Sequence, residues 1–265
     1  MKWSYILFLP AIVSAAWALV ITVAKRRPTR TQVVLSLMLL IEAMTMSVLA
    51  VFFRGQEGKL FIYDFMFEIL ALVCGPMYYV GICAHTEARG ATLRQRRIFF
   101  IPLLFIVGLT VGAFWLGPRR YEDMCHAIID GNTSWIAGDS PWNFMLFWDH
   151  WLFPILLIVM SFTLILIATF KVYRYQKRFN SYYAEDMNIP FFNNRGFNIL
   201  AWMFLPLAGI TFFAIDFRPY YFKYWLIVCS VLLTGVQFVT GHFTYNLNYD
   251  ARMLAEYIRK KNLEL

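Results

Sequence analysis

Two carboxylates, Asp64 and Glu68, stand four residues apart inside LFIYDFMFEILALVCGPMYYVGICA, residues 60–84, a stretch otherwise apolar enough to cross a bilayer. At that spacing they share one helix face about one turn apart, where like charges oppose the helix. An ionised group inside a membrane span is costly toward lipid and turns into the bundle or a wet cavity. The pair therefore marks a candidate site for a cation, an amine or a polar small molecule. Glu42 falls near the middle of the preceding apolar stretch, and Asp149, His150 and Asp216 fall at the ends of later ones. These six residues form the candidate ligand-binding or ion-path set. The alternative is a structural one, in which Asp64 and Glu68 pair with Arg54, Lys59, Arg119, Arg218 or Lys223, or accept hydrogen bonds from Tyr63 and Tyr78, and tie helices together.

The composition decides what must position these groups. Of 265 residues, 60% are hydrophobic and only 15% charged, well short of the roughly 25% charge of a soluble domain. This is an all-α, polytopic membrane protein. Its net charge of +8 comes from basic clusters between apolar runs; there they set topology and meet anionic lipid headgroups, so direct nucleic-acid binding is not expected. The four cysteines, Cys74, Cys83, Cys125 and Cys229, are in no metal spacing, and three of them fall inside spans as packing residues.

A span needs about 20 mostly apolar residues, and seven stretches qualify: 3–24, 31–53, 60–84, 98–116, 151–170, 197–215 and 224–245. The first runs past Ser14-Ala15-Ala16 to Lys25-Arg26-Arg27 and is read as a retained helix, not a signal peptide. Gly75-Pro76 loosens the third, which neighbouring helices must compensate. Residues 117–148 are expected to form a long external lid or ligand loop, and the aromatic run 142–151 an interfacial anchor. Residues 171–196 begin as a continuation of the fifth helix and break at Ile189-Pro190. The domain organisation is a seven-span unit, 1–249, and a short helical tail, 250–265. The connections after spans one, three and five and the tail hold 17 Lys and Arg, against 7 on the other side. The N-terminus is therefore expected outside and the C-terminus in the cytoplasm, which puts the acidic and titratable groups in the outer half of the bundle.

Enzyme chemistry is not expected. The chain has no His-Glu-x-x-His, no Gly-x-Ser-x-Gly and no Gly-rich phosphate loop ending in Lys-Ser or Lys-Thr. His126 with Asp149 and His150 matches no recognised zinc spacing. His85 and His242 lack the small residues that frame a porphyrin. No cofactor or metal is assigned. Lys223 lies at a helix edge, not inside the last span where a retinal Schiff base would need it. Span three closes with His85-Thr86-Glu87-Ala88-Arg89 and not Asp-Arg-Tyr, and span seven lacks Asn-Pro-x-x-Tyr, so only the seven-span topology is shared with G-protein-coupled receptors.

One connection carries a family likeness. Tyr173-Arg174-Tyr175-Gln176-Lys177-Arg178-Phe179, then Ser181-Tyr182-Tyr183-Ala184-Glu185-Asp186 and a further span, resembles the membrane sensor regions that some Gram-negative bacteria fuse to AraC-type helix-turn-helix domains or to histidine kinases. Arg94-Gln95-Arg96-Arg97 before span four is similar too. The resemblance implies signalling across the inner membrane. Only a stub is expected after the last span, so the resemblance implies either that the chain is a fragment of a longer regulator or that a separate cytoplasmic regulator or kinase docks on Arg174, Lys177, Arg178, Tyr182, Tyr183, Arg259 and Lys260. The expected function is a receptor-like sensor. A small proton- or cation-coupled transporter or channel, and a non-enzymatic accessory subunit, are the alternatives.

Overall fold

The computed structural model describes residues 2–55, 59–89, 91–92, 97, 100–130, 139–183, 205–210, 221–247, 255–256 and 259. Among them the regular structure is helical throughout. A 3₁₀ turn, Lys2–Leu7, runs into α1, Phe8–Ala24; then come α2, Arg30–Phe52, and α3, Leu60–Thr86. After α4, Phe100–Leu116, and α5, Pro118–Asp130, the chain resumes with α6, Ser140–Leu146, a π-helical turn, Phe147–Leu152, and α7, Phe153–Tyr183. The last long helix is α8, Phe222–Asn246.

Among the described residues five helical stretches are long and apolar enough to cross a membrane: Tyr5–Ala24, Arg30–Phe52, Leu60–Thr86, Ser140–Tyr175 and Phe222–Asn246. A sixth exists if α4 and α5, bent 105° from each other, are one broken span. Residues 205–210, inside the expected sixth span 197–215, are helical; the rest of that span lies outside the described residues. So do most of the tail 250–265, Asp216, Arg218 and Lys260.

The α2 helix is central, packing against α1, α3 and α8, while α3 packs in turn against α4, α5 and α7. Gln32 shows how local and tertiary order meet. Its Oε1 accepts from Thr29 N at 2.9 Å while Thr29 Oγ1 accepts from Gln32 N at 3.2 Å, the reciprocal capping box of a Thr-x-x-Gln start. Its Nε2 donates to the carbonyls of Thr244 and Tyr245 at 3.2 and 3.0 Å, satisfying acceptors that the end of α8 leaves open. One side chain thus caps two helices at one end of the bundle.

Two expectations about the connections are overturned. The described residues of 117–148 are mostly helical: α5 fills 118–130 and α6 begins at Ser140. Gly117, at φ +85°, ends α4 in the left-handed conformation that a side chain would strain, and Pro118 starts α5 with its φ already set. On α5, Tyr121, Met124, Cys125 and Ile128 recur at helical spacing and are all buried. The helix of the fifth span, expected to start at Trp151, starts instead at Ser140, so Asp149 and His150 lie inside that helical stretch and are buried.

Candidate functional site

Three carboxyl groups converge where α3, α5 and the π turn meet. Asp64 and Glu68 come from one face of α3, as their spacing requires. Asp149 comes from the π turn, whose extra residue resets the helical register, and both Asp149 and its neighbour His150 are buried. Phe153 packs edge-on against Phe67 at 5.6 Å and Phe105 packs on Trp148 at 5.3 Å. Trp148 lies directly over Gly108 of α4, where a Cβ would strike the indole. The aromatic packing thereby seats the π turn against α4 and the start of α7 against α3.

Asp64 Oδ2 accepts a 2.8 Å hydrogen bond from Tyr121 Oη. Glu68, 0% exposed, accepts none from any described residue through either oxygen. Its side-chain neighbour is the carboxyl of Asp149, which also acts on Asp64. Carboxylates only accept, so two in contact need a proton or a cation between them. Among the described residues no Lys or Arg forms an ion pair with Asp64, Glu68 or Asp149. The expected pairing of Asp64 and Glu68 with Arg54, Lys59, Arg119 or Lys223, or with Tyr63 and Tyr78, gives way to Tyr121 and Asp149, because α5 and the π turn occupy that side of α3.

α5 is fastened over this cluster. Glu122 accepts from the backbone N–H groups of Leu60 and Phe61, each at 3.1 Å, supplying the start of α3 with the acceptor that Lys59 at its N-cap does not. His126 stands 3.9 Å from Glu122. Two residues before Glu122, Arg120 makes a two-pronged ion pair with Asp139 at 2.7 and 2.8 Å. The guanidinium holds the Asp139 carboxyl below its ordinary range, helped by the Trp142 backbone N–H.

Glu42 does not join the cluster. It is 1% exposed and accepts from Gln237 Nε2 of α8 at 2.7 Å. Asp216 lies outside the described residues. Of the expected docking residues, Arg174, Lys177 and Arg259 are exposed; Arg178, Tyr182 and Tyr183 continue α7, and their side chains lie outside the description.

Sequence reasoning did not find Tyr121, Glu122, Gln237 or Lys171. Lys171 on α7 reaches Glu87 at 2.5 Å and Cys83 at 3.2 Å, above the Tyr79 ring, joining the far end of α3 to the middle of α7. Tyr121 and Glu122 had a signal, the amphipathic register after Gly117-Pro118; Gln237 had another, a Gln in an apolar run followed by Thr240 and Thr244. His85 packs on Tyr175 and His242 on Trp17, so the two face different neighbours. No protein-family model, no curated protein sequence and no solved structure matches this chain.

Proposed function

We propose that this chain is a receptor-like sensor of a bacterial inner membrane, with seven spans, the N-terminus outside and the C-terminus cytoplasmic. It binds a cationic or hydrogen-bond-donating ligand at Asp64, Glu68 and Asp149 and passes the event to a cytoplasmic partner. The observation behind the reading is Glu68: fully buried, accepting from no described residue, and paired with a second carboxyl, Asp149, with which it can share only a proton or a cation. An occupant that donates or carries positive charge is what these oxygens select.

In this reading α5 is the lid. Two contacts fasten it, Tyr121 to Asp64 and Glu122 to the start of α3, and both end on the helix that carries the site. A ligand competing for Asp64 loosens the first, and α3 carries the shift to its other end, where Lys171 joins it to α7. The basic, exposed Arg174 and Lys177 follow directly on α7, as a docking surface for a regulator or kinase.

Transport is the competing reading, with Glu42, Asp64 and Glu68 along one cation path. Glu42 engages α8, whereas Asp64 and Glu68 engage α5 and the π turn, which favours sensing. The test is purified full-length protein screened by thermal unfolding against small amines and inorganic cations, alongside flux in liposomes. Sensing requires a ligand that raises the unfolding temperature of the wild type but not of Glu68→Gln, with no flux. Ion or amine flux that disappears in Glu68→Gln would overturn it in favour of transport.

A further inference from the structure

Away from the three carboxyls, a second polar set lies between α1, α2 and α8. α8 carries Ser230, Gln237, Thr240 and Thr244 through an apolar span, all buried. Its register against α1 is constant. Ser230 Oγ donates to Ile6 O at 2.7 Å, and Gly241 abuts Trp17, in each case 224 positions apart. Two contacts at one offset, three turns apart, mean that the helices run parallel and in step, which puts Ser14 level with Phe238, next to Gln237. α1 and α2 run antiparallel, with Ser36 Oγ donating to Ala18 O at 3.1 Å. Counting back from that pair, Ser14 is level with Leu40, within one turn of Glu42.

Ser14, Glu42 and Gln237 therefore share one level on three helices that pack against one another. Ser14 is 0%, Glu42 1% and Gln237 0% exposed. One contact between them is made, Gln237 Nε2 to Glu42 Oε1 at 2.7 Å. It leaves Glu42 Oε2, Gln237 Oε1 and Ser14 Oγ, none of which has a hydrogen-bond partner among the described residues. Glu42 also has no Lys or Arg ion pair among them. Buried polar oxygens in a membrane core without partners are costly and favour an occupant that satisfies them. An amide oxygen, a hydroxyl and one carboxylate are hard oxygen ligands. Their single negative charge is balanced by one monovalent cation and overbalanced by a divalent one.

We propose that Ser14, Glu42 and Gln237 bind a monovalent alkali cation between α1, α2 and α8. The cation ties the first and last long helices to the central one, so its loss loosens the face from which the chain leaves α8. Two of these helices, α2 and α8, are already joined nearer the end of α8 through Gln32 and the Thr244 and Tyr245 carbonyls.

The experiment uses full-length protein in detergent at fixed pH and ionic strength, replacing choline chloride stepwise with sodium chloride. Thermal unfolding is expected to shift upward and saturate; sodium at ten times its dissociation constant raises the folded-to-unfolded ratio about 11-fold. Glu42→Gln is expected to fold in choline and lose the sodium shift, and Ser14→Ala to move saturation to higher sodium. Should Glu42→Gln fail to fold, retention of radioactive sodium by the wild type at one ion per chain, lost in Ser14→Ala with Gln237→Ala, supports the site. The proposal is overturned by unfolding temperatures that match in sodium and choline, by a sodium shift that survives in Glu42→Gln, or by stabilisation that follows acidification and ignores sodium.

Discussion

Tyr121 is the residue on which the reading of the carboxyl cluster is most exposed to test. Its hydroxyl is the donor to Asp64, and both groups are buried. Tyr121→Phe keeps the ring and removes the donor, leaving a buried carboxyl oxygen unsatisfied. The expected cost is about 1–3 kcal/mol, read as a fall in unfolding temperature of the purified protein; an unchanged value would show that Asp64 has another donor. Asp139 gives a prediction with a sign in pH. Arg120 and the Trp142 N–H depress its pKa in the folded chain below the ordinary 3.8. A depressed carboxyl stabilises the fold above the unfolded value and loses that contribution as the pH falls through the folded value. Asp139→Asn is therefore expected to be less stable than the wild type at neutral pH, the difference shrinking as the pH falls below 3.8 and vanishing only below the depressed folded value. A difference that persists in strong acid would assign the effect to capping of α6 alone. The spacing of Asp64 and Glu68 was legible as a shared face; their partners were not, since Tyr121 lies 57 positions from Asp64 and nothing local brings the two together.

Among the elements, α5 and the π turn were the least legible. Residues 118–130 are charged and polar on one face, so a search for apolar runs passes over them; the buried stripe Tyr121, Met124, Cys125 and Ile128 and the Gly117-Pro118 junction were the signals. A π turn has no comparable pattern, because one extra residue per turn follows from packing on neighbours. Gly108 of α4 is where that packing can be disturbed without touching a carboxyl. Gly108→Val drives two methyl groups into Trp148, next to Asp149, and is expected to destabilise by about 1–3 kcal/mol. It is also expected to weaken any ligand response that Glu68→Gln abolishes. A ligand response at wild-type strength in folded Gly108→Val would show that the π turn does not position Asp149. The pair Lys171–Glu87, 26% and 33% exposed, sits at the opposite end of α3; Lys171→Met is expected to leave ligand binding in place and to uncouple it from any partner on Arg174 and Lys177.

At the scale of the whole molecule the charge asymmetry yields the orientation test. A C-terminal fluorescent protein is expected to mature in the cytoplasm, and a C-terminal phosphatase that needs export is expected to stay inactive; the reverse pattern would place Asp64, Glu68 and Asp149 toward the cytoplasm and remove the case for an external ligand. Length, hydropathy and the Lys and Arg count are properties of contiguous residues, so the sequence by itself determined a helical chain with several membrane-spanning stretches, their approximate limits and the shared face of Asp64 and Glu68. Which of those faces meet depends on contacts between residues far apart in the chain. Only the tertiary structure separated Glu42, held by Gln237 at 195 positions' distance, from the acids on α3, drew Asp149 inward and laid α5 over it. Apolar periodicity says that a face is buried, but the shapes packed against it, Trp148 on Gly108 and Trp17 on Gly241 among them, decide its neighbour.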